Sequence, residues 1–272
     1  MAKFSVCCSY PTQKDGSMVL KLYYDFLSQP SRALYIFLKK CQIPFEQHFI
    51  NLKKGEQFST EYQEIHPFQK IPAIDHDGFK LIESVAILRY LCREFNINNH
   101  WYPSASKERA RVDEYLEWQH MNTRLHCAGY FLLKVCKFIL LYYNSNRGEN
   151  INCLSTQQFI RPIILKKPAS PDKLAAFHAR MVNSLDLLET VWLKDKPFLT
   201  SDKISIADLI GACEVEQMRI IGYNPSEGRP LLMAWLERVK NETHPFYEEV
   251  HKPIDDLARK FAEQSSATRS ML

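Results

Sequence analysis

The hydrophobic and polar positions in the first third of the chain follow strand-like and helix-like periods in turn. An apolar run over 19–25 predicts a strand, and 30–40 follows it with apolar residues at helical spacing. The later elements of this part are a strand over 45–52, a short polar helix over 56–65, a strand at 71–74, a hairpin turn at Asp77-Gly78, a strand over 79–82 and a helix that opens at Glu83-Ser84. This alternation predicts an α/β domain over residues 19–97.

The second part of the chain is helical in pattern throughout. Ser205 and Asp208 have the spacing of a capping box, and Ile204 and Leu209 are placed to act as a hydrophobic staple. The order of elements in the first part is that of a thioredoxin-like domain. The expected fold class is therefore an α/β N-terminal thioredoxin-like domain plus an all-α C-terminal helical domain over 105–262. The predicted helices cover 107–134, 171–193, 205–221, 230–240 and 245–261.

Two stretches fall outside these patterns. Residues 1–18 show no periodicity and are expected to form a loose N-terminal extension, and Met18, directly before the first strand, is an alternative start. Residues 135–158 are an atypical insertion that breaks the helical pattern. Two interpretations of it stay open, a retained in-frame intron and an ordinary long loop. Transcript sequencing distinguishes them, since mature messages that all carry these codons exclude the intron.

Composition excludes several kinds of site. The 272 residues are 46% hydrophobic and 24% charged, and the net charge of +4 comes from basic and acidic residues interleaved along the chain, so no nucleic-acid partner is expected. Only 8 glycines are present, and none lies in a phosphate-binding loop. The 8 cysteines form no C-x-x-C pair and no metal site is indicated. No apolar run has membrane-spanning length and no signal peptide is evident, which predicts a cytoplasmic protein with reduced thiols and no membrane partner.

The most informative stretch is the strand-to-helix turn that carries Ser28. Pro30 suits the first turn of a helix, and the helix N-terminus offers unpaired backbone N–H groups to an anion. From the residues alone, Ser28 is either a helix N-cap, which is the commoner role, or a hydroxyl that donates a hydrogen bond to a bound anion such as a thiolate. No histidine or cysteine partner is placed to make it a nucleophile.

Five motifs together resemble the theta-class glutathione transferases. The resemblance covers about residues 19–262 apart from 135–165, and it is specific because the motifs occur together. It implies the glutathione transferase fold and a glutathione co-substrate without a metal. The motifs are Ser-Gln-Pro-Ser-Arg-Ala at 28–33, Pro-Phe-Gln-Lys-Ile-Pro-Ala at 67–73, Glu-Ser-Val-Ala-Ile-Leu at 83–88, Trp-Tyr-Pro at 101–103 and Arg-Ala-Arg-Val-Asp-Glu-Tyr-Leu-Glu-Trp at 109–118.

The resemblance also implies roles for individual residues. Ser28 is the catalytic residue, whose hydroxyl donates to the glutathione sulfur. Ile71 precedes a cis-proline, Pro72, and pairs its backbone with the cysteinyl part of the peptide; a trans proline at the start of an edge strand is the alternative. Glu83 holds the γ-glutamyl ammonium and Ser84 its carboxylate.

The remaining implied contacts concern the two ends of the site. Gln57 and Lys70 match positions at the glycyl end, although Gln57 stands where the family often has histidine. Arg124 matches a position that reaches into the cleft, where it binds a leaving anion or a glutathione carboxylate; a solvated helix arginine is the alternative. Gln29, Met121 and Leu125 are further candidates around the electrophile.

The expected function is conjugation of the glutathione thiolate to small hydrophobic electrophiles, with reduction of organic hydroperoxides as a second reaction. The alternative is a non-catalytic protein of the same fold that binds ligands or docks a partner. The resemblance implies a homodimer.

Overall fold

The computed structural model describes residues 19–145 and 170–270, with side chains over 19–135 and 170–263. Its sheet has the strand order β2-β1-β3-β4, in which β1 is parallel to β2 and antiparallel to β3, and β3 is antiparallel to β4. The register pairs Leu22 of β1 with Ile74 of β3, and both side chains are fully buried. The strands are β1 (Leu20–Tyr24), β2 (Glu46–Phe49), β3 (Ala73–His76) and β4 (Phe79–Ile82).

The helices of the α/β part lie where the sequence places them. The helix α1 (Gln29–Lys40) follows β1, and α3 (Ser84–Glu94) follows β4. The expected short polar helix is divided into a 3₁₀ turn (Glu56–Phe58) and α2 (Thr60–Gln63). The division occurs because Ser59, extended at φ −67° and ψ 154°, caps α2 through its hydroxyl.

The all-helical part begins at Ser106, and three of its helices end in a tighter or wider turn. A π turn (His120–Arg124) follows α4, another (Leu188–Trp192) follows α6, and a 3₁₀ turn (Gln217–Ile221) follows α7. Within the residues that the structure describes, no helix is both long and apolar enough to cross a membrane. The helices are α4 (Ser106–Gln119), α5 (Leu125–Ser145), α6 (Pro171–Leu187), α7 (Ile206–Glu216), α8 (Pro230–Thr243) and α9 (Phe246–Ser270).

Two helix ends differ from the sequence-based expectation. The expected helix end at 134 is wrong, since α5 continues through the first eleven residues of the atypical segment to Ser145. The physical reason is composition, because no glycine or proline occurs there before Gly148. Likewise α9 extends past 261 to Ser270. The rest of the atypical segment, 146–158, and the expected extension at 1–18 lie outside the described residues.

The core is centred on α1, which is buried along most of its length. Leu34, Ile36, Phe37 and Leu38 are fully buried, and the helix packs against α3 of the α/β part and against α7 and α9 of the helical part. Burying aliphatic and aromatic side chains of this size contributes about 1.5–3 kcal/mol each. The residues just before α1 are therefore held by a rigid element.

The N-terminus of α7 is fixed by the predicted capping box. Ser205 and Asp208 form it, and the Asp208 carboxylate is fully buried. Its Oδ2 accepts from the Ser205 backbone N–H at 2.8 Å, and its Oδ1 accepts from the Leu199 N–H at 2.8 Å and from Trp235 Nε1 at 2.9 Å. Burial raises the pKa of Asp208, and these three donors, with the Ser205 hydroxyl as a fourth, oppose that rise. The carboxylate thus joins α7, the preceding loop and α8.

We expect Asp208→Ala to lower the free energy of unfolding by about 3–5 kcal/mol, because several buried donors lose their acceptor at once. Thermal melting followed by circular dichroism measures the loss. Asp202→Ala is the matched control, since Asp202 is exposed in the same loop region, and it should change the unfolding free energy by less than about 0.5 kcal/mol. Equal melting temperatures for both variants would contradict the assignment.

Candidate functional site

The turn between β1 and α1 is shaped by Asp25. Its backbone C=O accepts from the Ser28 N–H at 3.0 Å, and its Oδ1 accepts from the Leu27 N–H at 2.9 Å. Its Oδ2 accepts from the Leu52 N–H at 3.0 Å, which ties the turn to the segment after β2. Asp25 is buried, and burial raises the pKa of its carboxyl while the two N–H donors oppose the rise. The position of Ser28 is therefore set by backbone bonds.

Arg32 holds the same turn from the other side. Its side chain is fully buried, and its Nη1 donates to the Phe26 C=O at 2.7 Å. Its Nη2 donates to the Cys213 C=O at 2.9 Å and to Gln217 Oε1 at 2.8 Å, both at the C-terminal end of α7. Burial lowers the pKa of the guanidinium, and its interactions with Cys213 and Glu214 counteract that shift. One side chain thus joins the turn before Ser28 to the helical part of the chain.

Ser28 itself is the N-cap of α1. Its Oγ accepts from the Ser31 N–H at a long 3.4 Å, so the capping interpretation is confirmed. Capping uses the oxygen as an acceptor and leaves the hydroxyl proton free. Among the described residues that proton has no acceptor, and Ser28 is only partly buried. The cap and a donor role toward a bound anion are therefore compatible.

A cleft of about 220 Å³ lies between the α/β part and the helical part. Its α/β wall carries the predicted residues Lys70, Ile71, Glu83 and Ser84, with Pro72 between them. The Ile71–Pro72 peptide bond is cis, so the trans alternative is wrong. Across the cleft are Gln119, His120, Arg124, Ile210 and Glu214, and the wall is completed by Pro30 and His66.

The backbone of this wall is specialised at two positions. Glu83, at the N-terminus of α3, has a φ of 67°, which a residue with a side chain rarely adopts. Such strain is typical of positions held for binding or catalysis. Ile71 precedes β3, and its backbone N–H and C=O have no hydrogen-bond partner among the described residues. An extended peptide could therefore pair with Ile71 as an added strand.

Five predicted site residues do not line this cleft. One is Ser28, the expected catalytic residue, although Pro30, two residues later, does line it. The side chain of Gln57 is fully buried and both its polar atoms lack partners among the described residues. Gln29 is buried at the start of α1, whereas Met121 and Leu125 are 68% and 41% exposed. The structure therefore does not bring these five to the lining of the cavity, and their assigned contacts stay predictions. The exposure of Met121 and Leu125 arises because the π turn after α4 presents them to the surface.

Arg124 does line the cleft, and its side chain is only partly solvated because it is paired with an acid. Its Nη1 donates to Glu214 Oε1 in an ion pair. The Glu214 side chain is 2% exposed and that of Arg124 39% exposed. The second carboxylate oxygen of Glu214 is buried and has no hydrogen-bond partner within the described part of the chain. A buried acid thus faces a partly solvated cation at the helical wall.

Sequence reasoning missed His66, Gln119, His120, Ile210 and Glu214. Burial lowers the pKa of His66, and its Nδ1 accepts from the Phe68 N–H at 3.2 Å, so a neutral ring carries its proton on Nε2. The spacing along the chain could have predicted two pairs of neighbours. His120 and Arg124 are four residues apart, as are Ile210 and Glu214, and residues at this spacing share a helix face. An acid inside the apolar run of α7 was also a signal.

A larger cavity of about 330 Å³ lies between α7, α8 and α9, and none of the predicted site residues lines it. It contains the Glu216–Arg219 ion pair, whose atoms are 2.7 Å apart. Within the described ranges, no group of three or more histidine, cysteine or acidic side chains could hold a metal ion. The predicted residues therefore favour the smaller cleft as the functional site.

Comparison with known proteins agrees on one family. The glutathione S-transferase N-terminal domain family matches residues 18–93, and its C-terminal domain family matches 157–242. Glutathione S-transferase theta-1 of Bos taurus is 39% identical over 87% of this chain and 89% of its own.

Two solved human structures give the same result. Glutathione-S-transferase T1-1 in its apo form superposes with a TM-score of 0.72 at 36% identity, over 92% of this chain and 99% of that one. Glutathione transferase theta-2 in complex with glutathione has a TM-score of 0.72 at 33% identity, over 90% and 91% of the two chains.

Proposed function

The chain belongs to the theta class of the glutathione S-transferase family, and from that premise we propose that it conjugates the glutathione thiolate to small hydrophobic electrophiles. The observation that carries the proposal is the Ser28 hydroxyl at the N-terminus of α1, with its proton free. Pro30, two residues later, lines the cleft.

The chemistry at Ser28 is stabilisation of an anion. A free thiol has a pKa of about 8.5 and is mostly protonated at neutral pH. Lowering that pKa by about 2 units requires about 2.7 kcal/mol, which one hydroxyl bond to the sulfur and the positive end of α1 together can supply. Asp25 and Arg32 support this role because they fix the turn on both sides.

The rest of the tripeptide fits the α/β wall. The open backbone of Ile71 suits the cysteinyl part. Glu83 offers a carboxylate to the γ-glutamyl ammonium, and the N–H groups at the start of α3 with the Ser84 hydroxyl suit its carboxylate. Lys70 is exposed in the same wall and suits the glycyl carboxylate. Gln57 would reach that end only if its side chain left its buried position.

In the reaction, the thiolate attacks an electrophilic carbon, the carbon–sulfur bond forms and the leaving group departs with its electron pair. In this proposal Arg124, at the helical wall, donates a hydrogen bond to the departing anion, while its ion pair with Glu214 offsets its charge. With an organic hydroperoxide the same thiolate attacks the terminal oxygen, the O–O bond breaks and the alkoxide leaves, taking up a proton to become the alcohol. A second glutathione then attacks the sulfur of the resulting sulfenic acid, which gives glutathione disulfide and water. The second hypothesis, a binding protein without turnover, is not favoured by relatives that are transferases.

We propose a cytoplasmic location for the protein. The support is that Cys92, Cys127 and Cys213, among the described cysteines, are free thiols. Burial raises the pKa of Cys41 and of Cys213 to about 12, so both stay protonated and unreactive.

Ser28→Ala should raise the pKa of the bound glutathione thiol by about 2 units and lower kcat/KM at pH 7 between about tenfold and a hundredfold. The thiolate absorbance of the complex, titrated with pH, measures the first effect, and steady-state kinetics with several electrophiles measures the second. Ser31→Ala is the matched control, because Ser31 lies in the same helical turn with a buried hydroxyl. If Ser28→Ala conjugates as fast as the unchanged protein, the catalytic assignment fails.

Glu83→Gln should weaken glutathione binding about tenfold, since the ammonium loses its counter-charge. Isothermal calorimetry with glutathione and with N-acetylglutathione, which lacks the ammonium, separates this contact from general damage. The variant should lose affinity for the first ligand only. Glu94→Gln, at the exposed far end of α3, is the control and should bind as the unchanged protein does. Equal losses for both ligands would count against the assignment.

We also propose a homodimer, as the family likeness implies. The large exposed apolar side chains Phe68, Phe79, Met121 and Leu125 support it, because isolated chains seldom leave so many in water. Light scattering on a size-exclusion column should give twice the 31.9 kDa chain mass. A mass of one chain across micromolar concentrations would contradict the proposal.

A further inference from the structure

The ion pair between Arg124 and Glu214 determines how much positive charge the helical wall presents to the cleft. In the proposed binding mode, Lys70 and Glu83 serve the two ends of the peptide. Arg124 is then the remaining lysine or arginine among the cleft residues, and Glu214 the remaining acid. His66 and His120 also line the cleft, and burial lowers the pKa of His66, so that ring adds no charge at neutral pH.

Glu214 is placed to cancel the charge of Arg124. Its side chain is almost completely buried, its Oε1 accepts from Arg124 Nη1, and its Oε2 has no other partner among the described residues. The negative charge of a carboxylate bound to one guanidinium in this way offsets the positive charge of that cation. Charge interactions are stronger in a partly desolvated cleft than in water. Whether Glu214 offsets the charge of Arg124 therefore strongly affects how well a charged ligand binds there.

We propose that Glu214 sets the charge preference for the electrophile: by neutralising Arg124, it favours uncharged electrophiles over those that carry an anionic substituent. The inference rests on the proposed function, but it concerns which electrophile is accepted and not whether the thiolate attacks. Glu214 touches neither the sulfur nor the electrophile in this account. It is a specificity-determining residue that acts through Arg124.

The decisive variant is Glu214→Gln, which keeps the side-chain shape and an oxygen acceptor for Arg124 but removes the negative charge. The probes are 4-nitrobenzyl chloride, which is neutral, and 4-(chloromethyl)benzoate, which is anionic and has the same reacting carbon and leaving group. Chloride release at saturating glutathione gives kcat/KM for each. The measured quantity is the ratio of the anionic to the neutral value, because a merely structural loss lowers both.

Glu214→Gln should raise this ratio about tenfold. Arg124→Gln should lower it, because the buried carboxylate is then uncompensated, and the double variant should return it close to the value of the unchanged protein. Glu216→Gln is the matched control. Glu216 lies on the same helix and forms the same kind of pair with Arg219, with side chains 9% and 45% exposed, but it faces the larger cavity. Its ratio should not change.

A ratio that stays within about twofold in Glu214→Gln overturns the inference. If Glu214→Gln does not fold, the ratio of the anionic to the neutral value is measured in Arg124→Gln instead. An unchanged ratio in that variant likewise overturns the inference. If the unchanged protein releases no chloride from 4-nitrobenzyl chloride in a glutathione-dependent reaction, the proposed function fails. Active unchanged protein with a constant ratio across the variants refutes only the role of Glu214.

Discussion

The buried guanidinium of Arg32 is the contact on which the geometry of the site depends. Removing a cation from water costs several kcal/mol, so its burial requires acceptors. The Phe26 and Cys213 carbonyls and the Gln217 amide oxygen accept from its two terminal nitrogens, while Nε has no partner among the described residues, and the C-terminal end of α7 adds its negative partial charge. Phe26 lies two residues before Ser28, and Cys213 directly precedes Glu214. One side chain therefore sets the spacing between the two walls of the cleft.

This arrangement requires that α7 itself cannot shift. Its N-terminus is fixed by the Asp208 carboxylate and its C-terminus by Arg32, so buried polar groups hold both ends. Apolar packing alone tolerates small shifts of one helix along another, whereas the partners of a buried hydrogen-bond network are satisfied in one position of the helix only. Glu214 is consequently carried to the cleft on a helix with two anchors, which is what a fixed partner for Arg124 requires.

Features that depend on neighbours in the chain could be predicted from the sequence. Pro30 after Ser28, Asp77-Gly78 between two strands, and Ser205 with Asp208 each predict a local conformation, and each is present. The resemblance to the family predicted Lys70, Glu83 and Arg124 as site residues, and the structure brings all three to one cleft.

Features that depend on distant partners could not be predicted in this way. The Arg124–Glu214 pair joins residues 90 positions apart, and Arg32 binds a carbonyl 181 positions away. The burial of Gln57 is likewise a result of packing around a 3₁₀ turn, which no local pattern encodes.

The two walls of the cleft perform different tasks by different means. The α/β wall offers backbone groups, helix N-termini, a hydroxyl and the charged side chains of Lys70 and Glu83, all of which suit one peptide and its sulfur. The helical wall offers side chains, and their charges can change without any change in backbone. Arg32 joins α1 to α7 at Cys213 and Gln217, which do not line the cleft. Substitutions along the cleft face of α7 can therefore alter the electrophile side while the Ser28 turn stays in place. The thiolate and the electrophile are thus controlled by separable parts of one rigid frame.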